Sequence, residues 1–361
     1  MIKNTSYTQF SHSIRSVRAL TAAVAGVLAA PLAVLEANFT QILSVDDVEF
    51  NSNTATIQNF VFDGSTAYVA VGGTVSAGQW DGHAVQRVTG VGTATPAVTT
   101  LMTSGDWGTG FFSPIHSFQR TGDFVQFGTT GAAAVLGIHR VNVDSGGLTT
   151  RFDQSAIIAA SGASNYAHLG ASTTDAAGEF YFANTNAQNR ALLHTSGTDV
   201  NVLLDSAQLT ALFDGAANQS INAMALAGTT LVLANNSATT LAAYNTTDGT
   251  TSTLLNEAQL DAGGLTGNFA RLFAAPNGLV YASTSNRGIF SFDPSDAAGT
   301  WSFIATTGDT TVWNVQALGW YEDELAFATT SGIYAIPEPR LYAALLGLGA
   351  LALVWLRRRR G

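Results

Sequence analysis

The chain of 361 residues contains no cysteine and a single lysine, Lys3. Without cysteine it can form no disulfide, no thiolate metal site and no cysteine nucleophile. Charged residues make up 11% of the chain, about half the usual share, whereas hydrophobic residues make up 46%. Because disordered chains are poor in apolar residues and rich in charge, this composition predicts a folded protein.

Positive charge is scarce in the body of the chain. Residues 38–336 carry seven arginines against 23 acidic residues, a net charge of −16. Phosphate binding needs a basic patch, so this balance argues against nucleic acid as a partner. Acidic surface charge helps to keep a protein soluble, and it is also compatible with a cationic partner.

Common catalytic and cofactor motifs are also missing. The sequence has no G-x-S-x-G elbow, no H-E-x-x-H, no Walker loop, no G-x-G-x-x-G opening a helix and no EF-hand calcium loop. These absences predict a protein that is not an enzyme and has no cofactor and no metal site.

The N-terminus has the parts of an export signal. Three basic residues precede an apolar stretch at 19–35: Lys3, Arg15 and Arg18. Basic residues before an apolar core are typical of a Sec-type signal peptide, and the Arg-Arg pair of the twin-arginine route is absent. We therefore predict a signal helix at 1–37 with cleavage after Ala37, and an uncleaved membrane anchor is the alternative.

A sequence unit of roughly 50 residues recurs through the middle of the chain. DQSAI at Asp153, DSAQL at Asp205 and NEAQL at Asn256 are separated by 52 and 51 residues. Six β-type runs bracket these motifs: IQNFVF, IHSFQR, YAHLGA, INAMAL, FARLFA and VQALGW. The fourth residue of each run is large and apolar; these residues are Phe60, Phe118, Leu169, Met224, Leu272 and Leu318.

Further β-type runs follow in every unit. In the first unit they are AYVAV from Ala67, AVQRVT from Ala84 and VTTLMT from Val98. Alternation of apolar and polar residues predicts half-buried strands. Four-stranded units in tandem predict an all-β fold, a six-bladed β-propeller over 38–336. Because residues 103–114 are unassigned, a seven-bladed ring stays an alternative, as do a solenoid and a long sandwich.

The sixth unit lacks its fourth strand, because the chain reaches Pro337 after the third. An unassigned strand, FTQILSV at 39–45, stands at the front of the body and resembles the missing one. We predict that this N-terminal strand completes the last blade. Such pairing closes the ring and removes an open sheet edge.

The first strand of each blade lines the channel of a propeller, so its polar residues are candidate ligand contacts. The second positions are Gln58, His116, Ala167, Asn222, Ala270 and Gln316, and the third positions include His168 and Arg271. We therefore predict a polar site built from Gln58, His116, His168, Asn222, Arg271 and Gln316. A water-filled channel without a ligand is the alternative. Two histidines on different blades, with no carboxylate nearby, do not predict a metal site.

The C-terminal segment 337–361 has three parts: Pro337-Glu338-Pro339, an apolar run at 341–356, and four arginines, Arg357, Arg358, Arg359 and Arg360. As a helix, the apolar run spans about 24 Å, and snorkelling arginines extend its reach across a membrane. The arginines predict a cytoplasmic end. The two prolines keep the preceding stretch extended, as a protease requires.

This segment resembles the PEP-CTERM sorting signal of exported proteins in Gram-negative bacteria. The resemblance covers only this segment. It implies a C-terminal transmembrane helix that holds the protein in the inner membrane until exosortase, a membrane-embedded protease, processes it. A permanent tail anchor is the alternative.

Exosortase systems accompany exopolysaccharide production, so the resemblance also implies a role at the cell surface or in the extracellular matrix. The expected role of the propeller is binding or structural, with exopolysaccharide as the expected partner. The alternatives are a propeller enzyme of the lactonase, glycosidase or lyase type, and a purely structural surface protein.

Overall fold

A computed structural model describes twelve stretches of the chain. They are residues 39–48, 56–72, 84–107, 115–129, 136–162, 169–185, 190–213, 220–235, 240–262, 269–284, 288–305 and 315–336. The predicted signal segment and sorting segment lie outside the described residues. Within these stretches, no helix has the length and apolar character needed to cross a membrane.

The described strands form six antiparallel sheets of four strands each, which we call blades 1 to 6. The innermost strands of the blades, in order, are β2 (Thr56–Asp63), β6 (Ile115–Thr121), β10 (Leu169–Thr174), β14 (Ile221–Ala227), β18 (Phe269–Ala274) and β22 (Ala317–Tyr321). The second strands are β3 (Thr66–Gly72), β7 (Phe124–Thr129), β11 (Phe180–Asn184), β15 (Thr230–Asn235), β19 (Val280–Thr284) and β23 (Glu324–Ala328).

The third strands are β4 (Ala84–Thr89), β8 (Gly137–Asn142), β12 (Ala191–Ser196), β16 (Leu241–Asn245), β20 (Gly288–Phe292) and β24 (Gly332–Ile336). The outermost strands of blades 1 to 5 are β5 (Ala97–Thr103), β9 (Gly146–Asp153), β13 (Asp199–Leu204), β17 (Thr251–Leu255) and β21 (Ser302–Ala305). In blade 6 the fourth strand of the sheet is β1 (Thr40–Ser44).

The blades follow one another around a ring. Each innermost strand contacts the innermost strands of the blades before and after it, and β22 contacts β2. This arrangement confirms the predicted six-bladed β-propeller.

The second strands are more buried than the sequence predicted. In β3, the alternating residues Val69 and Val71 pack in a core with blade 6, whereas Tyr68 and Ala70 pack in a core with blade 2. Both faces of this strand are therefore covered. The sequence predicted half-buried strands because it does not show that a blade is flanked on both sides.

Short helices follow the outermost strands of blades 2 to 4: α1 (Gln154–Ser161), α2 (Ser206–Leu212) and α3 (Glu257–Ala262). A fourth helix, α4 (Ala297–Thr300), lies between the third and the outermost strand of blade 5. The repeated motif marks the starts of the first three. The side chains of Asp153 and Asp205 cap α1 and α2, and Asn256 exchanges hydrogen bonds with Gln259 at the start of α3. The 52- and 51-residue spacing therefore reflects helix N-caps between blades.

Strand β1 pairs antiparallel with β24, with Thr40 opposite Ala335 and Ser44 opposite Gly332. Leu43 is buried in the core shared by blades 6 and 1. The Ile42 carbonyl also accepts a hydrogen bond from Gly92 N at 3.0 Å, which links β1 to blade 1.

The ring has two distinct faces. The face where the innermost strands begin is called the bulge face, and the face with the turns after these strands is called the tail face. The turn after β22 joins Tyr321 to Glu324, and Ile336 lies opposite Leu325 beside that turn. The last strand therefore ends at the tail face, and its neighbour Thr40 begins there.

The innermost strand of blade 3 differs from the prediction. Leu169 pairs with Asn184 as Ile221 pairs with Asn235 in blade 4, so Leu169 occupies the first position and not the fourth. Ser172 takes the fourth position, opposite Phe182. Both the first and the fourth positions are apolar in the other blades, so one leucine could not reveal which of them it occupied.

Candidate functional site: the central cavity

The innermost strands enclose a cavity of about 760 Å³, lined by residues from all six blades. Phe60, Phe118, Met224 and Leu318 supply apolar surface. Ser117, Ser172, Asn222 and Arg271 are prominent among the polar residues that line it. The volume falls within the range of small-molecule sites, roughly 300–1,000 Å³, which typically combine apolar walls with a few polar groups.

A β-bulge recurs near the start of the innermost strand in five blades. The pairing with the second strand shifts between Ile57 and Asn59, His116 and Phe118, Leu169 and Ser172, Ile221 and Ala223, and Phe269 and Arg271. A bulge redirects the side chain of the extra residue. At the second bulge, Ser117 has a φ of 48°, a left-handed conformation that is uncommon for serine.

Several bulge side chains bind the backbone of the next blade. The Gln58 Oε1 atom accepts a hydrogen bond from Ile115 N at 3.4 Å. The Asn222 side-chain amide donates to the Phe269 carbonyl. Both backbone partners, Ile115 and Phe269, are the first residues of the neighbouring innermost strands. These side chains therefore link adjacent blades at the bulge face.

Arg271 makes a similar connection between blades 5 and 6. Its Nε donates to the Gln316 carbonyl, and its Nη1 donates to the Ala270 carbonyl at 2.7 Å. Among the described residues, no carboxylate forms an ion pair with it. Burial lowers the pKa of Arg271. The cavity wall therefore holds a half-buried positive charge, whose hydrogen-bond acceptors among the described residues are backbone carbonyls.

Three polar atoms on the same wall are buried without a hydrogen-bond partner among the described residues. They are Ser117 Oγ, Ser172 Oγ and Asn222 Oδ1. Buried polar groups are nearly always hydrogen-bonded, so each such atom requires an explanation. All three residues belong to the lining of the cavity.

The predicted ligand contacts have different positions in the structure. Asn222 and Arg271 line the cavity. Gln58 and Gln316 are not among the described lining residues. The Gln58 side chain accepts a hydrogen bond from Ile115 N in blade 2, and the Gln316 backbone carbonyl accepts one from Arg271. His168, the side chain of His116 and the residues 337–361 lie outside the described residues.

Ser117 and Ser172 were missed by the sequence analysis. Aligning the blades by their second strands would have found Ser172, because these runs are more regular than the innermost ones. Ser117 follows His116 at a bulge, and a serine in a chain rich in serine gives no signal of its own.

Other ionisable groups are engaged away from the cavity. Glu179 on blade 3 binds Arg151 on blade 2 through both carboxylate oxygens, at 2.6 and 2.7 Å, and also accepts from Thr195. His139 is buried between Thr129 and Thr150. Within the described part of the chain, no three His, Asp or Glu side chains are grouped closely enough to hold a metal ion.

No family model and no curated protein matches this chain. Solved structures do resemble it. One is regucalcin, a calcium-binding protein from Agrobacterium tumefaciens, at 9% identity and a TM-score of 0.51, covering 83% of this chain and 94% of that one. Another is the luciferin-regenerating enzyme, at 9% identity and a TM-score of 0.51, covering 78% and 90%.

A third is a structural genomics protein of unknown function from Bacteroides thetaiotaomicron, at 13% identity and a TM-score of 0.51, covering 78% of this chain and 68% of that one. At such low sequence identity, these similarities show the fold alone. They agree with the β-propeller architecture seen in the strand order.

Proposed function

We propose that this chain is an exported propeller that binds a ligand in its central cavity at the cell surface or in the extracellular matrix. The observation that carries the binding role is the cavity, with its three buried, unpartnered polar atoms. Its described lining residues include no Asp, Glu or His. A hydrolytic or lyase mechanism needs such groups near the substrate, so binding is the role that these residues favour.

We further propose that a PEP-CTERM signal sorts the protein, with exosortase cutting near Pro337–Pro339. The position of β24 supports this proposal. The strand ends at Ile336, beside the tail-face turn, and Pro337 follows at once. Cleavage after that point would leave every described strand intact, including β1.

The first and the last described strand have their outer ends at the same edge of the ring. Thr40 lies opposite Ala335, so the chain enters and leaves the propeller at neighbouring points of the tail face. The four residues 337–340 span at most about 14 Å when extended. We infer that the tethered precursor keeps its tail face toward the membrane and its bulge face toward the outside.

Processing is tested by the intact mass of the exported protein in a host with exosortase. We expect a mature C-terminus near 337–339, and we expect replacement of Arg357–Arg360 by alanine to leave uncut precursor in the membrane. A surface protein that still ends at Gly361 would refute sorting by cleavage.

The orientation is tested by cysteine labelling. Because the chain has no native cysteine, only the introduced residue reacts with the label. Ala159→Cys lies on α1 at the bulge face, and Thr229→Cys lies in an exposed tail-face turn. In the tethered protein, we expect a bulky maleimide to label Thr229→Cys several times more slowly than Ala159→Cys. The same pair without residues 337–361 is the control and should show no such difference. Equal rates in the tethered protein would contradict the orientation.

We also infer that β1 acts as the closing strand of the ring. Its hydrogen bonds join blade 6, and its side chains pack in a core shared with blade 1. The Val45 amide adds a hydrogen bond to the Ser331 carbonyl at 3.0 Å. Closure of this kind covers the edge of β24, which would otherwise invite pairing with other chains.

A further inference from the structure

The guanidinium of Arg271 has one edge available to a ligand. Its Nε is used by the Gln316 carbonyl, and one Nη1 proton is used by the Ala270 carbonyl. The Nη2 protons donate to none of the described residues. The pair of Nη atoms is the fork that matches the two oxygens of a carboxylate.

Arg271 has no anionic partner among the described residues. An arginine side chain stays protonated, so burial cannot be relieved by losing the proton. A charge that has lost part of its hydration without gaining a counter-ion is costly. The described lining residues include no Asp or Glu, so none of them supplies an anion to this side chain.

The rest of the wall fits a ligand rich in hydroxyl groups. Ser117 and Ser172 each offer a buried hydroxyl without a partner among the described residues, and Asn222 offers its Oδ1 as an acceptor.

We propose that the central cavity binds a carboxylate-bearing saccharide of the uronate class, with Arg271 pairing with the carboxylate and Ser117, Ser172 and Asn222 bonding the hydroxyls. This inference rests on the proposed binding function of the cavity. A single free guanidinium edge favours one carboxylate over a phosphate, which has more charge and more oxygens to satisfy.

The test uses the full chain purified in detergent and calorimetric titration with a trigalacturonate. Its matched probe is the methyl ester of the same trisaccharide, which keeps the shape and removes the charge. We expect the acid to bind about 10- to 100-fold more tightly than the ester, the range for a hydrogen-bonded charged group. This comparison needs no mutation, so it stands even where a variant fails to fold.

Substitutions then locate the site. Arg271→Gln should bring the acid down to the affinity of the ester, and Ser172→Ala should weaken both probes alike. Arg140→Gln is the matched control, because Arg140 lies on β8 over the ring of Phe124, outside the cavity lining. Thermal melting of each variant shows whether the fold is kept.

Each outcome has a defined meaning. Equal affinity for acid and ester, or full affinity in a folded Arg271→Gln chain, would overturn the uronate inference while leaving cavity binding in place. Absence of binding to both probes and to neutral trisaccharides would overturn the proposed binding function as well. Exosortase sorting is judged separately by the mature mass.

Discussion

Gly332→Ala is expected to displace β1 from blade 6 and to lower the free energy of unfolding by about 2–3 kcal/mol. A Cβ at Gly332 would collide with the carbonyl oxygen of Leu43 and lie 2.6 Å from Gln41 Nε2. The carbonyl belongs to the backbone of the paired strand, so it cannot move without breaking the β1–β24 register. The measurement is amide hydrogen exchange, in which the β1 amides should exchange at least tenfold faster.

Gly64→Ala is the matched control. Gly64 also has a positive φ, of 57°, but no atom lies within 4 Å of the position of its Cβ. It should cost roughly 1 kcal/mol of backbone strain and leave exchange in β1 unchanged. If Gly332→Ala instead behaves like Gly64→Ala, with β1 amides still protected, then β1 does not close the ring in the way inferred.

Glu179→Gln is expected to lower the free energy of unfolding by about 1.5–3 kcal/mol at pH 7, because it removes hydrogen bonds to a charged group. The carboxylate accepts hydrogen bonds from Arg151, Thr195 and the Gly197 amide. It therefore links blade 2 to blade 3. The side chains of Arg151 and Glu179 are only 18% and 21% exposed. Denaturant unfolding of both proteins measures the difference.

The effect should depend on pH. Partial burial pushes the pKa of Glu179 upward, but the hydrogen bonds from Thr195 and Arg151 outweigh it, so the pKa lies below its ordinary value of 4.5. The carboxylate therefore stabilises the fold fully above that value, and the benefit is lost as the pH falls through the lowered pKa of the folded state. The gap between wild type and Glu179→Gln should shrink only below about pH 4.5.

Asp144→Asn supplies the control for this prediction. Its carboxylate lies 3.6 Å from Arg87 and its side chain is 81% exposed, so the pair should contribute less than about 1 kcal/mol. A loss of similar size in both variants would show that Glu179 stabilises the protein no more than an exposed surface pair does.

Much of the fold was predictable from local patterns. Runs such as TLVLAN and GIFSFD, separated by glycine turns, identify strands without any knowledge of the ring. Their recurrence indicates blades, and the missing fourth strand of the last unit points to a partner elsewhere in the chain. The register of blade 3 was missed, because Leu169 satisfies two apolar positions equally well and only an alignment by the second strands separates them.

The site was less predictable than the fold. Arg271 and Asn222 were found because the first strand of each blade was expected to line the channel, and they are polar residues at its third and second positions. Ser117 and Ser172 were not found, because their burial depends on bulges and on neighbouring blades that no local pattern encodes. Gln58 shows the opposite error. It was predicted to contact a ligand, but its side chain bonds to the backbone of the next blade.

The sequence by itself determined the strands and their fourfold grouping and favoured six blades, since these follow from apolar periodicity and turn residues close along the chain. The contacts around the ring decided the number against seven. It also carries the two terminal segments that resemble an export and a sorting signal. Only the tertiary structure decided which side chains line the cavity and which fasten blades, because bulges and contacts between blades set those directions. Only that structure, too, brought Thr40 beside Ala335 and left the charge of Arg271 facing an enclosed space.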